Sequence, residues 1–197
     1  GLIICLFYVK TEVLFPLLPL ALFSFAYSFF TRFRVQIAAR VFAFPRIKTI
    51  ILALVWASAT VFIPALQAQT GLCNLQMLLV FAQRLIFIFA IAIPFDIRDM
   101  IDDSKAGIKS IPILAGAKNA IRICNTALVL SVVPAILQYL SSGVLFMVPA
   151  SLLSLVLILF LVNNKKAKSH PLYYHGILDG SIMMYALIVI LSAYLIV

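Results

Sequence analysis

Of 197 residues, 65% are hydrophobic and only 11% carry charge, with a formal net charge of +9. A soluble domain of this length has no use for so much apolar surface, so the composition excludes that class and points to an α-helical membrane protein. The basic excess does not mark a nucleic-acid surface, because it falls in short stretches between apolar runs.

The chain opens on an apolar stub at 1–9, followed by apolar runs predicted to cross a bilayer at roughly 13–30, 49–66, 78–97, 121–139, 144–162 and 176–197. Gly1 stands inside an apolar run, with no charged region and no small-residue cleavage site ahead of it. A signal peptide is therefore a poor reading, and the expectation is a fragment lacking upstream helices. Arg32, Arg34, Arg40, Arg46 and Lys48 share one connection; Arg98, Lys105, Lys109, Lys118 and Arg122 share another; Lys165, Lys166 and Lys168 share a third. The intervening connections, 67–77 and 140–143, hold neither Lys nor Arg. That alternation places the basic connections on the cytoplasmic face. Setting topology is a sufficient role for most of these side chains. Cys5, Cys73 and Cys124 are scattered without metal-ligand spacing or a disulfide framework.

Four of the six acidic residues gather at the end of the 78–97 run, in Asp96-Ile-Arg-Asp99-Met-Ile-Asp102-Asp103. Asp96, Asp99 and Asp103 are spaced to share one helical face, with Asp102 beside it. Carboxylates packed at a bilayer edge repel one another, and a divalent cation is the usual means of holding them together. Lys105 and Lys109 follow at once as candidate grips for phosphate. The block reads as half of a magnesium-diphosphate site, with Asp99 and Asp103 as metal ligands and Asp96 as a third ligand or a partner for a cation. Asp102 reads as a solvated charge or an outer contact.

Other polar residues have quieter readings. Arg84, beside Gln83, lies about two turns inside its span and is expected to snorkel to the outer interface. Asp179 opens the last helix, either as a carboxylate favoured by the helix dipole or as a brace for the basic rim of the site. His170 and His175 read as surface residues, and Trp56 with the Tyr173-Tyr174 pair as packing and interface anchors.

The run from Asp96 through Lys105-Ala-Gly107-Ile-Lys109-Ser110-Ile-Pro112 to Gly116 resembles the second aspartate-rich motif of the UbiA superfamily of intramembrane prenyltransferases. That motif is DxxxD followed by Lys-x-Gly-(Ile/Val)-(Lys/Arg)-(Ser/Thr)-x-Pro and a nearby Gly. A bare DxxxD is common on any helix, whereas the composite at the end of a membrane span is specific. Tyr27-Ser28-Phe-Phe-Thr31-Arg32 is similar to the family's Tyr-(Ser/Pro)-x-x-Lys-Arg segment, with Thr31 where Lys is common. The resemblance runs over the whole chain and implies one membrane domain, 1–197, equivalent to the C-terminal two-thirds of a UbiA-like bundle: six full helices and a partial one.

The resemblance implies magnesium-dependent transfer of an isoprenyl group from a prenyl diphosphate to an aromatic or lipophilic acceptor, in a pathway of the quinone, haem, chlorophyll or lipid type. Asp99, Asp103 and Lys109 would serve catalysis, and Arg32, Lys105 and Lys109 would bind diphosphate. Asp99, Asp103 and Asp96 would hold Mg2+. It further implies a bilayer setting, a bacterial inner membrane with the site on its cytoplasmic face, and no nucleic-acid partner. The family's first motif, NxxxDxxxD, has no counterpart: before Asp96 the one acid is Glu12, on the opposite side. The chain as given is thus expected to be incompetent or nearly so. The rival readings are a non-catalytic membrane remnant and a cation-coupled transporter, which would carry its acids nearer the bilayer midplane within repeated halves. An alcohol phosphotransferase would need a DGxxAR pattern that does not follow Asp179-Gly180.

Overall fold

The computed structural model of the chain describes residues 47–68, 74–142, 147–164 and 172–196. The stub at 1–9, the span at 13–30, the Tyr27–Arg32 segment with Arg32, Lys165, Lys166, Lys168 and His170 lie outside the described residues. The described residues form helices joined by short turns, with no strand among them. α1 is Ile47–Gln67, α2 Leu75–Arg98, α3 Met100–Lys105, α4 Ile111–Ala115, α5 Ala117–Leu130, α6 Val132–Ser142 and α7 Met147–Asn163. A π-helical turn at Tyr173–Leu178 then leads into α8, Asp179–Ile196. Among the described residues three stretches are long and apolar enough to cross a membrane: Ile47–Gln67, Leu75–Arg98 and Ala117–Ser141.

α2 is the central element, packed against α1, α4, α5 and α6. Its start is set by Asn74, whose side chain accepts the Met77 N–H at 2.7 Å and so satisfies one of the free amides of the first turn. At 24 residues it is about 36 Å long, against a hydrocarbon layer of about 30 Å. Its last turn, bearing Asp96 and Arg98, therefore reaches the water-facing edge. α1 presents Thr49, Ala53, Ala57, Val61 and Ala65 as its buried stripe. Four-residue spacing of small side chains lets two helix backbones approach closely, the usual basis of helix association where lipid supplies no hydrophobic drive.

The predicted span at 121–139 begins a turn earlier and contains a break. Lys118 and Arg122 fall inside the helix, since long basic side chains reach water from the first turns of a span. The break at Ser131 lies three residues before Pro134, whose ring lacks an N–H and crowds the carbonyl four residues back. Helical bonding is carried across by the Ser131 N–H to the Ala127 carbonyl at 2.9 Å. Polar pairs tie the helices together: Gln83 to Ser151 at 2.7 Å, Gln76 to Ser141 at 2.9 Å, and a reciprocal Asn125–Asn163 pair at 3.1 Å.

Candidate active site

α1 and α2 run antiparallel, so the first turn of α1 meets the last turn of α2. That places Lys48 beside the acidic block. Its ammonium donates to both Asp103 oxygens, at 2.9 and 2.8 Å, and stands 3.5 Å from Asp96 Oδ1. The next residue, Thr49, donates its hydroxyl to Asp96 Oδ2 at 2.5 Å. Asp96 and Asp103 are only 4% and 5% exposed, and carboxylates so buried persist as charges only when paired and hydrogen-bonded. Lys48 and Thr49 meet that requirement.

Asp99 behaves differently. Helical bonding continues through the α2–α3 junction, from the Asp99 N–H to the Phe95 carbonyl at 3.0 Å and from the Asp103 N–H to the Asp99 carbonyl at 2.8 Å. At about 100° per residue, Asp103 returns to within about 20° of Asp96, while Asp99 stands about 60° away. The three predicted ligands therefore divide by partner: Asp96 and Asp103 converge on Lys48, and Asp99 pairs with Arg98 instead. Its carboxylate takes two bonds from Arg98, at 2.7 and 3.2 Å. The Arg98 guanidinium is itself held 5.3 Å from the Phe95 ring centre and 5.1 Å from that of Tyr174, within cation–π range.

The cavity measures about 550 Å³. Its polar end is formed by Lys48, Asp96, Asp99 and Asp179, so one cation faces three carboxylates; Leu52, Trp56, Ile88, Ile91, Phe95 and Met183 make up most of the rest. Asp179 thus lines the cavity from the start of α8, with the π-helical turn before it; such turns recur at functional sites. Behind it Tyr173 is fully buried and donates to the Leu161 carbonyl at 3.4 Å. Burial, with Tyr174 adding to it, pushes the Tyr173 phenol up to about 12.

The tail of the motif folds into a short amphipathic passage. Gly107 adopts φ 72° and Gly116 φ 79°, left-handed conformations that a Cβ disfavours. Between them Ser110, Ile111 and Pro112 turn inward while Lys109 is exposed, as is Lys105 just before Gly107. Lys105 and Lys109 fall outside the set that lines the cavity. Among the described residues the Ser110 hydroxyl is buried with no hydrogen-bond partner. Asp102 meets Lys105 at 4.0 Å with both side chains largely in water, a contact of little weight. Arg84, half-buried, packs its guanidinium 4.5 Å over the Tyr185 ring.

Hard oxygen donors at the head of a cavity suit Mg2+. Among the described residues no three carboxylate, imidazole or thiol groups converge closely enough to hold an ion by themselves. Asp96 and Asp99 offer donors at the cavity wall, and Asp103 would first have to exchange Lys48. Sequence reasoning counted Lys48 only as a topology-setting charge and passed over Thr49. The available signal was their place at the entry of a helix antiparallel to the acidic one, on the same membrane face.

The profile of the UbiA prenyltransferase family matches residues 1–177 of this chain. No curated protein matches it, and no solved structure does.

Proposed function

Because the chain belongs to the UbiA prenyltransferase family, we propose that it acts as one membrane domain transferring an isoprenyl group from a prenyl diphosphate to an aromatic or lipophilic acceptor, with magnesium. The observation that carries this reading is the cavity with Lys48, Asp96, Asp99 and Asp179 at one end and apolar side chains beyond. An amphiphile with an anionic head and a hydrocarbon tail has the same division. The acidic end faces the cytoplasm, by the distribution of Lys and Arg between the connections.

Asp96, Asp99 and Asp103 are the magnesium end of the site, with Asp99 fronting the cavity. When bound, the ion supplies Lewis-acid stabilisation of the departing diphosphate. Lys48 positions Asp96 and Asp103 by holding them in one place. The exposed Lys105 and Lys109, together with Arg32, would draw in the diphosphate and balance the charge that grows on it as the C–O bond ionises. The apolar wall would exclude water from the allylic cation, leaving the acceptor as the nucleophile. The test is release of diphosphate and formation of a labelled prenyl adduct by the purified full-length protein, given radiolabelled prenyl diphosphates and a panel of lipophilic phenols and alcohols. Magnesium-stimulated adduct formation is expected. Absence of both products across the whole panel would overturn the assignment.

A further inference from the structure

The cavity has a measurable depth. On α1 it is lined by Lys48, Leu52 and Trp56, and on α2 by Asp96, Ala92 and Ile88. Each set is one helical stripe of four-residue steps, and the two run in opposite chain directions from the same polar end. Both span eight residue-to-residue steps, about 12 Å at 1.5 Å per step. Two helices thus place the lower limit at the same depth, at Trp56 and Ile88.

What lies beneath is polar. One further step down the α2 stripe is Arg84, with its guanidinium over Tyr185. A hydrocarbon tail passing Ile88 would meet a cation held inside a membrane span, where removing its polar contacts is costly. Ile88 is 4% exposed and belongs to the core. Trp56 is 53% exposed; it lines the cavity and stands outside the hydrophobic core.

We propose that Trp56 limits the length of isoprenyl tail this cavity accepts, with Arg84, one further turn along α2 beyond Ile88, closing the space past it. The proposal rests on the prenyltransferase reading and adds a substrate class: short-chain prenyl diphosphates. An extended chain advances about 1.2 Å per bond, as a peptide backbone does, so a four-bond isoprene repeat spans about 5 Å and roughly two to three repeats fit in the available depth. Ten- to fifteen-carbon tails meet that limit.

The test is calorimetric binding of magnesium-loaded, non-reacting prenyl thiolodiphosphates of ten, fifteen, twenty and forty carbons to the full-length protein in lipid nanodiscs. Unaltered protein is expected to bind the fifteen-carbon analogue at least about tenfold more tightly than the twenty-carbon one. Trp56→Ala should move the optimum to twenty carbons. Met183→Trp fills the cavity one turn below Asp179, and should move the optimum to ten carbons or fewer; it tests the same ruler should Trp56→Ala fail to fold. Affinity that keeps rising through forty carbons, or variants that keep the original profile, would overturn the ruler and leave the prenyltransferase reading intact. Unaltered protein that binds none of the analogues would overturn both.

Discussion

Replacing Lys48 by Met isolates the contact on which the acidic site depends. The substitution keeps the apolar stem and removes the ammonium that bonds both oxygens of Asp103 and lies 3.5 Å from Asp96. The Lys48 and Asp103 side chains are 14% and 7% exposed, so water screens the pair little, and removing one member leaves buried charge uncompensated. Such a loss costs about 3–5 kcal/mol. Thermal unfolding of the purified protein in detergent should show the midpoint lowered by about 6–20 °C, taking 2–4 °C per kcal/mol for a chain of this size. Adding Asp103→Asn to K48M should restore about half the loss, because Asp96 keeps its bond from Thr49 and the second buried charge is gone. If K48M melts within about 1 °C of the unaltered protein, the pair contributes nothing and the division of Asp96 and Asp103 from Asp99 is wrong.

Asp99→Asn should reduce magnesium-stimulated diphosphate release at least about a hundredfold, yet change stability by under about 1 kcal/mol, since its partner Arg98 is partly solvated; a steady-state assay beside a melting curve reads both. Gly107→Ala meets no neighbour within 4 Å but must adopt φ 72°, so a loss of about 1–2 kcal/mol is expected from backbone strain alone, and an unchanged denaturation midpoint would contradict it. The raised Tyr173 phenol, near 12 rather than 10, means the folded protein retains a proton that the unfolded chain releases. Stability is therefore unaffected by this group below about pH 10 and falls between pH 10 and pH 12. Comparing the phenolate absorbance of the protein with that of Tyr173→Phe over this range checks the assignment, and a difference titrating near pH 10 would refute it.

The membrane helices were legible in the sequence because bilayer thickness imposes a length on every apolar run, whatever the run packs against. Leu75–Arg98 and Ile47–Gln67 accordingly fall within a few residues of the predicted 78–97 and 49–66. The acidic block was legible for a similar reason: carboxylates are scarce in such a chain, so four together stand out. Gly107 and Gly116 in the motif tail could be placed by the family's pattern, and both proved to hold left-handed backbone. The ends of the 121–139 span were less legible, because hydropathy discards basic first-turn residues that a helix can retain.

Tertiary structure alone decided how the carboxylates are used. Spacing places Asp96, Asp99 and Asp103 near one face, but a separation of 60° suffices to give neighbours different partners once a second helix covers part of that face. Lys48 is 55 residues from Asp103 in sequence, and no local pattern relates them. Arg84 followed the same course. In isolation a cation two turns inside a span is expected to reach for water, and the ring that Tyr185 brings to it from α8 has no local signal in the sequence. Composition, periodicity and charge determined that the chain is a membrane bundle with an acidic end, since those depend on the solvent each helix meets. The pairing of each charge depends on which helices pack together, and that information exists only in the fold.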